Sequence, residues 1–356
     1  VIRVFVVDDS AIVRKKLTDE LNKYSDIQVV GTAIDPYVAR DKIVRLDPDV
    51  ITLDVEMPRM DGITFLKKIM RYFPKPVIIV SSLTEKGSEL ALEALDAGAV
   101  EVMCKPGGAY SVGELSLQLA NVIRAASQAN IKKKEVYRYK SRDKVDSPPQ
   151  SKNKAQKTKK TRVSTDKIIT IGASTGGTEA IKQVMLNMPA DCPGTLICQH
   201  MPPKFTTSFA DRLNSLCRME VKEAEDGDRV MLGRVLIAPG NYHMLLKRSG
   251  AEYYVQIKDG PMVHHQRPSV DVLFKSVARS AGKNAIGVIL TGMGSDGADG
   301  MLELKKAGAT TLAQDEASSV VYGMPREALR RGAVDFNLDI NDMADKLMEV
   351  IEELRD

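Results

Sequence analysis

Three side chains able to do acyl-transfer chemistry follow apolar, strand-like runs in the C-terminal half of the chain. Ser174 lies in Gly172-Ala173-Ser174-Thr175-Gly176-Gly177, directly after Ile168–Ile171. His200 lies in Gln199-His200-Met201-Pro202, after Thr195–Cys198. Asp296 lies in Thr291-Gly292-Met293-Gly294-Ser295-Asp296-Gly297, after Ile286–Leu290. The glycine-rich segment alone has three readings. Such a turn after a first strand can cradle a dinucleotide pyrophosphate. Gly-x-Ser-x-Gly can carry a nucleophilic serine on a tight strand-to-helix turn. The glycines can also serve only close packing of helix on strand. The next strand end separates these readings, because a dinucleotide site wants Asp or Glu there to bind ribose, and this chain has His200. A serine hydroxyl becomes a competent nucleophile when a base takes its proton. Imidazole is that base near neutral pH. A carboxylate fixes its tautomer and stabilises the imidazolium. The order Ser, His, Asp is not the Ser, Asp, His order of α/β-hydrolases, so that fold is not expected. Of the remaining histidines, His243 reads as structural, and His264-His265 read as cleft-lining without an assigned partner.

A second constellation stands in the N-terminal third. Strand-like runs end in Asp8-Asp9, Asp54, Ser81-Ser82 and Lys105-Pro106. Three carboxylates meeting at one sheet rim repel unless a cation joins them, and an all-oxygen site suits a hard divalent ion such as Mg²⁺. A lysine and a hydroxyl at the same rim complete a site for a phosphoryl group. Strand-end acids are also commonly solvated or act as helix caps, and Asp9 or Ser10 suits the first helix in that role.

The elements that must position these groups alternate regularly. Apolar runs at Ile2–Val7, Ile27–Ala33, Val50–Leu53, Val77–Val80 and Val100–Met103 are separated by helical patterns. One of these places Ile12, Val13, Leu17, Leu21 and Tyr24 on one face. Such alternation predicts a parallel sheet covered on both faces, with right-handed crossovers and hence a doubly wound fold. Ligands of that fold sit beyond the carboxyl ends of the strands, where both constellations lie. Alternation resumes after residue 166. Residues 220–258 differ: Val235–Ala238, Tyr242–Leu246 and Tyr253–Ile257, broken by Pro239-Gly240-Asn241 and Arg248-Ser249-Gly250, predict an antiparallel hairpin insert. The fold class expected is α/β with two doubly wound parallel-sheet domains, the second a three-layer, Rossmann-like sheet carrying that insert.

Between the two halves, residues 132–162 hold thirteen Lys/Arg against three acids, with Pro148-Pro149 and few bulky apolar residues. That composition predicts a mobile tether. The net charge of +4 therefore says little about the folded parts. No aromatic interleaving or reader motif accompanies the basic tract, so nucleic acid is not an expected partner. A length of 356 residues suits two domains. No stretch reaches the roughly 18 apolar residues of a membrane span, and Val1-Ile2-Arg3-Val4-Phe5 reads as a core strand rather than a leader, so a cytoplasmic protein without membrane insertion is expected. Cys104, Cys192, Cys198 and Cys217 form no C-x-x-C pair and read as reduced thiols.

The order Asp8-Asp9, Asp54, Ser81, Lys105 resembles the flavodoxin-like receiver domain of response regulators, over roughly the first 125 residues. Gly172–Gly177, Gln199–Pro202, Ala238–His243, Arg267-Pro268-Ser269-Val270-Asp271 and Thr291–Gly297 resemble the catalytic domain of the CheB family of chemotaxis methylesterases, over 166–356. The domains implied are 1–125, a linker 126–165, and 166–356. The resemblance implies Asp54 as phosphoacceptor, Mg²⁺ held by Asp8, Asp9 and Asp54 with the Glu56 carbonyl, and Ser81 and Lys105 on the phosphoryl oxygens. A cis Lys105-Pro106 bond is usual in receivers. Their frequent aromatic three residues before the lysine is Val102 here. In the catalytic domain the resemblance implies Ser174 as nucleophile, His200 as base and Asp296 as orienting acid. The Met293 N–H would help form the oxyanion hole, with Thr175 beside the nucleophile. The activity implied is removal of methyl groups from glutamate methyl esters on the cytoplasmic helices of methyl-accepting chemoreceptors, with glutamine deamidation in many members. No cofactor is implied for ester hydrolysis, and the histidine kinase CheA is the implied phosphodonor. The rival reading is a receiver-controlled binding module without hydrolase activity.

Overall fold

The computed structural model describes residues 1–57, 59–82, 84–105, 112–129, 131 and 167–353. The predicted tether and the Lys105-Pro106 bond lie outside the described residues. The N-terminal alternation folds as β1 (Ile2–Val7), α1 (Ala11–Leu21), β2 (Ile27–Ala33), α2 (Pro36–Leu46), β3 (Val50–Asp54), α3 (Gly62–Tyr72), β4 (Val77–Ser81), α4 (Glu85–Asp96), β5 (Glu101–Cys104) and α5 (Val112–Ser127). The strands form one parallel sheet in the order β2-β1-β3-β4-β5. Strand β3 is buried throughout, as a strand covered by helices on both faces must be. Ser10 caps α1, its hydroxyl accepting the Val13 N–H at 3.4 Å.

The C-terminal part runs β6 (Ile168–Ala173), α6 (Gly177–Leu186), β7 (Gly194–Gln199), α7 (Phe205–Leu216), β8 (Glu220–Glu223), β9 (Arg234–Ile237), β10 (His243–Ser249), β11 (Glu252–Lys258), α8 (Val270–Ala281), β12 (Ala285–Ile289), α9 (Ala298–Lys306), β13 (Thr310–Gln314), α10 (Met324–Arg330), β14 (Phe336–Leu338) and α11 (Met343–Glu353). Seven of these strands make a parallel sheet in the order β14-β13-β12-β6-β7-β9-β8. From β6 the chain steps to β7 on one side, and later places β12 on the other. The crevice beyond the ends of β6, β7 and β12 is therefore the topological switch point of the sheet.

The hairpin expectation holds only in part. Strands β10 and β11 pair antiparallel as a separate two-stranded ribbon, packed on α8 through the Leu246 N–H to Ser276 Oγ bond of 2.8 Å. Strand β9 instead joins the main sheet between β7 and β8, in parallel. Its Val235, Leu236 and Ile237 are wholly buried, which an outlying ribbon cannot provide. Strand β14 was not predicted; three residues are too few to show a period. All four cysteines are free thiols.

The two sheets meet through helices. Leu92 and Leu95 of α4 share one buried cluster with Phe209 and Leu213 of α7. Around it, Asp96 pairs with Lys182 at 2.9 Å and with Arg212, and the Ser88 and Ser208 hydroxyls lie 2.8 Å apart. No helix among the described residues is long and apolar enough to cross a membrane.

Candidate active site

Ser174, His200 and Asp296 follow β6, β7 and β12, and backbone bonds across the strand ends fix their spacing. The Ser174 N–H donates to Thr291 O at 3.0 Å, and the His200 N–H to Ala173 O at 3.1 Å. His200 Nε2 lies 2.7 Å from Asp296 Oδ2. Its Nδ1 is buried without a hydrogen-bond partner among the described residues, and His200 and Ser174 both line a cavity of about 400 Å³. No hydrogen bond joins Ser174 Oγ to the imidazole among the described contacts. Catalytic bonds of this kind are often loose before substrate binds.

Asp296 is held from the far side by the start of α8. Its carboxylate accepts the Ser269 hydroxyl at 2.8 Å and the Val270 and Asp271 N–H groups at 2.8 and 3.0 Å. These are orphan donors at the positive end of a helix. Burial pushes the Asp296 carboxyl up, but the His200 hydrogen bond and charge, the Asp271 N–H and the Ser269 hydroxyl more than offset it. The pKa consequently lies below the ordinary aspartate value. A carboxylate kept ionised in this way holds the Nε2 proton and leaves Nδ1 as the ring's acceptor.

Ser269, Gln199 and Thr291 carry no catalytic signal in the sequence, although Ser269 directly before α8 is an N-cap signal. The Gln199 amide donates to Ser174 O at 2.9 Å. The Thr291 hydroxyl donates to Thr175 O at 3.0 Å and accepts the Val321 N–H at 2.9 Å. The backbone around the nucleophile is thus tied to three separate elements. Gly292 has a steric reason: a Cβ there would stand 2.3 Å from Met324 Sδ and 2.7 Å from Ser174 Cβ. With the Ser174 N–H already committed, the N–H groups of Thr175 and Met293 have no backbone acceptor among the described bonds. Both residues line the cavity. His264 meets Asp271 Oδ2 at 3.1 Å, a partner not foreseen, while His243 is buried and bonded to Pro261 O and the Ser269 N–H, as a structural histidine should be.

At the rim of the other sheet, carboxylate oxygens of Asp8, Asp9 and Asp54 lie within 4.8 Å of one another. Lys105 Nζ reaches Asp54 Oδ2 at 2.6 Å and Asp8 Oδ2 at 3.1 Å. Burial lifts the Asp54 carboxyl to about 6 despite the Lys105 contact, and the Asp8 charge adds to the rise. The lysine leaves negative charge uncompensated, so this oxygen set fits a hard divalent cation. The Glu56 N–H donates to Asp54 Oδ1 at 3.3 Å. Ser81 is buried, with its hydroxyl donating to Gly87 O at 3.2 Å rather than reaching the acids.

Residues 169–347 match the CheB methylesterase family, and residues 4–112 match the response regulator receiver domain. The chain belongs to the CheB methylesterase family. It is 61% identical to the protein-glutamate methylesterase/protein-glutamine glutaminase 2 of Syntrophus aciditrophicus, over 98% of this chain and 99% of that one. It is 53% identical to the protein-glutamate methylesterase/protein-glutamine glutaminase 1 of Geobacter metallireducens, over 99% of this chain and 96% of that one. The crystal structure of the Thermotoga maritima CheB methylesterase catalytic domain aligns with a TM-score of 0.51 and 38% identity, covering 52% of this chain and 98% of that one. In this CheB-family chain the cavity holding Ser174 and His200 is closed on one side by the receiver, whose β5 residues Glu101 to Cys104 and α5 residues Gln118, Asn121, Val122 and Ala125 line it.

Proposed function

We propose that this chain is a protein-glutamate methylesterase, with Ser174, His200 and Asp296 as its hydrolytic triad and phosphorylation of Asp54 as its control. The carrying observation is the His200–Asp296 pair at 2.7 Å, with the second imidazole nitrogen buried and unpaired among the described residues and His200 lining one cavity with Ser174. The Ser174 hydroxyl attacks the γ-carbonyl carbon of a glutamyl methyl ester while its proton passes to His200 Nδ1. The tetrahedral oxyanion faces the Met293 and Thr175 N–H groups; loss of one such donor costs about 10²- to 10³-fold. His200 then protonates the departing methoxide, giving methanol and an acyl-serine. Water attacks the acyl carbon, His200 takes its proton and returns it to Ser174, and a glutamate carboxylate is released. A glutamine side chain follows the same course with ammonia as the leaving group. The substrates are glutamyl and glutaminyl side chains on the cytoplasmic helices of methyl-accepting chemoreceptors, which makes the protein cytoplasmic.

The domains we assign are a receiver at 1–125, a linker at 126–165 and the esterase at 166–356. In the receiver, Asp8 and Asp54, with Asp9 and the Glu56 carbonyl, would hold Mg²⁺. Bound there, the ion would offset the charge of a phosphoryl group that Asp54 accepts from the histidine kinase CheA. Lys105 contacts its oxygens, and Ser81 does so after leaving Gly87 O. The unphosphorylated receiver lies over the esterase cavity, and phosphorylation weakens that packing. Methanol release from methylated receptor membranes, with and without a phosphodonor, tests both claims. Undiminished release by Ser174→Ala removes the triad, and equal rates with and without phosphodonor remove the control.

A further inference from the structure

Glu101 is a buried carboxyl that the esterase chemistry does not use. It opens β5 of the receiver, its backbone paired with Ile78 of β4, and the residue is only 9% exposed. Its Oε1 accepts the N–H of Val102 at 3.1 Å. Across the contact between the two units it lines the same cavity as Ser174, Thr175 and His200. Burial lifts its carboxyl to about 7, while the Val102 N–H, the Thr175 side chain and the His200 charge draw it back down. A carboxyl taken from water into such a place is costly unless the place is built to receive one.

An esterase that releases glutamate is built to receive one. Its product is a γ-carboxyl on a two-carbon stem, and Glu101 carries the same group on the same stem. We infer that Glu101 of the receiver occupies the glutamyl subsite of the esterase as a built-in product mimic, with the Thr175 side chain recognising the γ-carboxyl of both. This deepens, and rests on, the esterase reading of Ser174. It also gives phosphorylation a short route to the crevice. Lys105, which holds Asp54 at 2.6 Å, directly follows the four-residue strand that Glu101 begins.

The test uses the unphosphorylated full chain with Glu101→Ala and, as a milder change, Glu101→Asp, which keeps the charge but shortens the stem by one methylene. Each is treated with a small serine-directed phosphonate, and labelling of Ser174 is followed by mass spectrometry. Small-angle scattering reports whether the two units stay together. Removing the carboxyl, or withdrawing it by one methylene, should leave the glutamyl subsite empty while the units stay docked, and so raise the labelling rate about tenfold. Both variants should show this with an unchanged scattering profile. Wild-type labelling rates in both variants overturn the inference. So does acceleration that comes only with separation of the units, because Glu101 would then be an interface contact and not an occupant. Absence of Ser174 labelling in every form, the phosphorylated wild type included, overturns the esterase reading itself.

Discussion

His200 and Asp296 illustrate how much of a catalytic pair is made by its surroundings. Four donors converge on the Asp296 carboxylate, one from His200 and three from the start of α8. The lowered pKa of Asp296 has a simple sign. Its stabilising contribution is present above the unfolded aspartate value and is lost as pH falls through the lower folded value. Asp296 therefore stays charged throughout the neutral range, and Asp296→Asn should lower kcat by about 10³- to 10⁴-fold through loss of the correct tautomer. Steady-state kinetics on a methylated receptor checks this. Ser269→Ala removes one carboxylate donor and the N-cap of α8 together, so unfolding stability should fall by about 1–2 kcal/mol. The same variant should lose kcat more than it changes KM, because Ser269 touches Asp296 and not the substrate. Gly292→Ala should be worse than either, since its methyl would press on both Met324 and the nucleophile. Thermal melts and phosphonate labelling of that variant would expose either a lost fold or a displaced Ser174.

Strand ends were the legible elements. Asp8, Asp54, Lys105, Ser174 and His200 directly follow or close strands, Asp296 stands in the loop after β12, and a parallel sheet gathers its carboxyl ends at one rim. Strand β9 reads as part of a hairpin because Pro239-Gly240-Asn241 looks like hairpin punctuation, whereas that segment follows an interior strand that pairs in parallel on both sides. Partners from distant loops, such as Asp271 for His264, leave no periodic trace. Glu101 was illegible for a different reason: within its own strand it is an ordinary polar residue, and the residues it lines a cavity with, Ser174, Thr175 and His200, are distant in the chain. Its burial predicts a pH dependence. In the docked state Glu101 titrates near 7, above the ordinary glutamate value of 4.5. Occupancy of the crevice by Glu101 is thus fully supported below the ordinary value and weakens as pH rises through about 7. The titratable and charged groups lining the same cavity are His200 after β7, His264, His265 and Arg267 before α8, and Cys104 on its own strand; the lining of α5 is uncharged. The excess labelling rate of Glu101→Ala over wild type should accordingly be largest near pH 5 and shrink towards pH 8. An excess that grew with pH would reverse the assigned sign.

At the scale of the whole molecule, the closed arrangement rests on modest contacts that a single modification can outweigh. The Asp96 pairs with Lys182 and Arg212 are partly exposed and surround the small apolar contact of α4 with α7. Pairs of this kind contribute about 0–1 kcal/mol each. Asp96→Ala should therefore raise the unphosphorylated rate by about two- to tenfold. Asp96 and Glu101 act through different partners, one on α7 and α6, the other in the crevice, so their effects on a single open–closed equilibrium should multiply while the closed form predominates. The product cannot grow without limit, because once the crevice is open further loss of docking contacts changes nothing. The double variant should thus approach the rate of the phosphorylated wild type, and a phosphodonor should add little to it. Methanol release from the four forms, each with and without phosphodonor, checks both the multiplication and the ceiling. A double variant that exceeded the phosphorylated wild type would mean that the docked receiver does more than cover the crevice, since removal of a cover can restore the rate of the open enzyme but cannot surpass it.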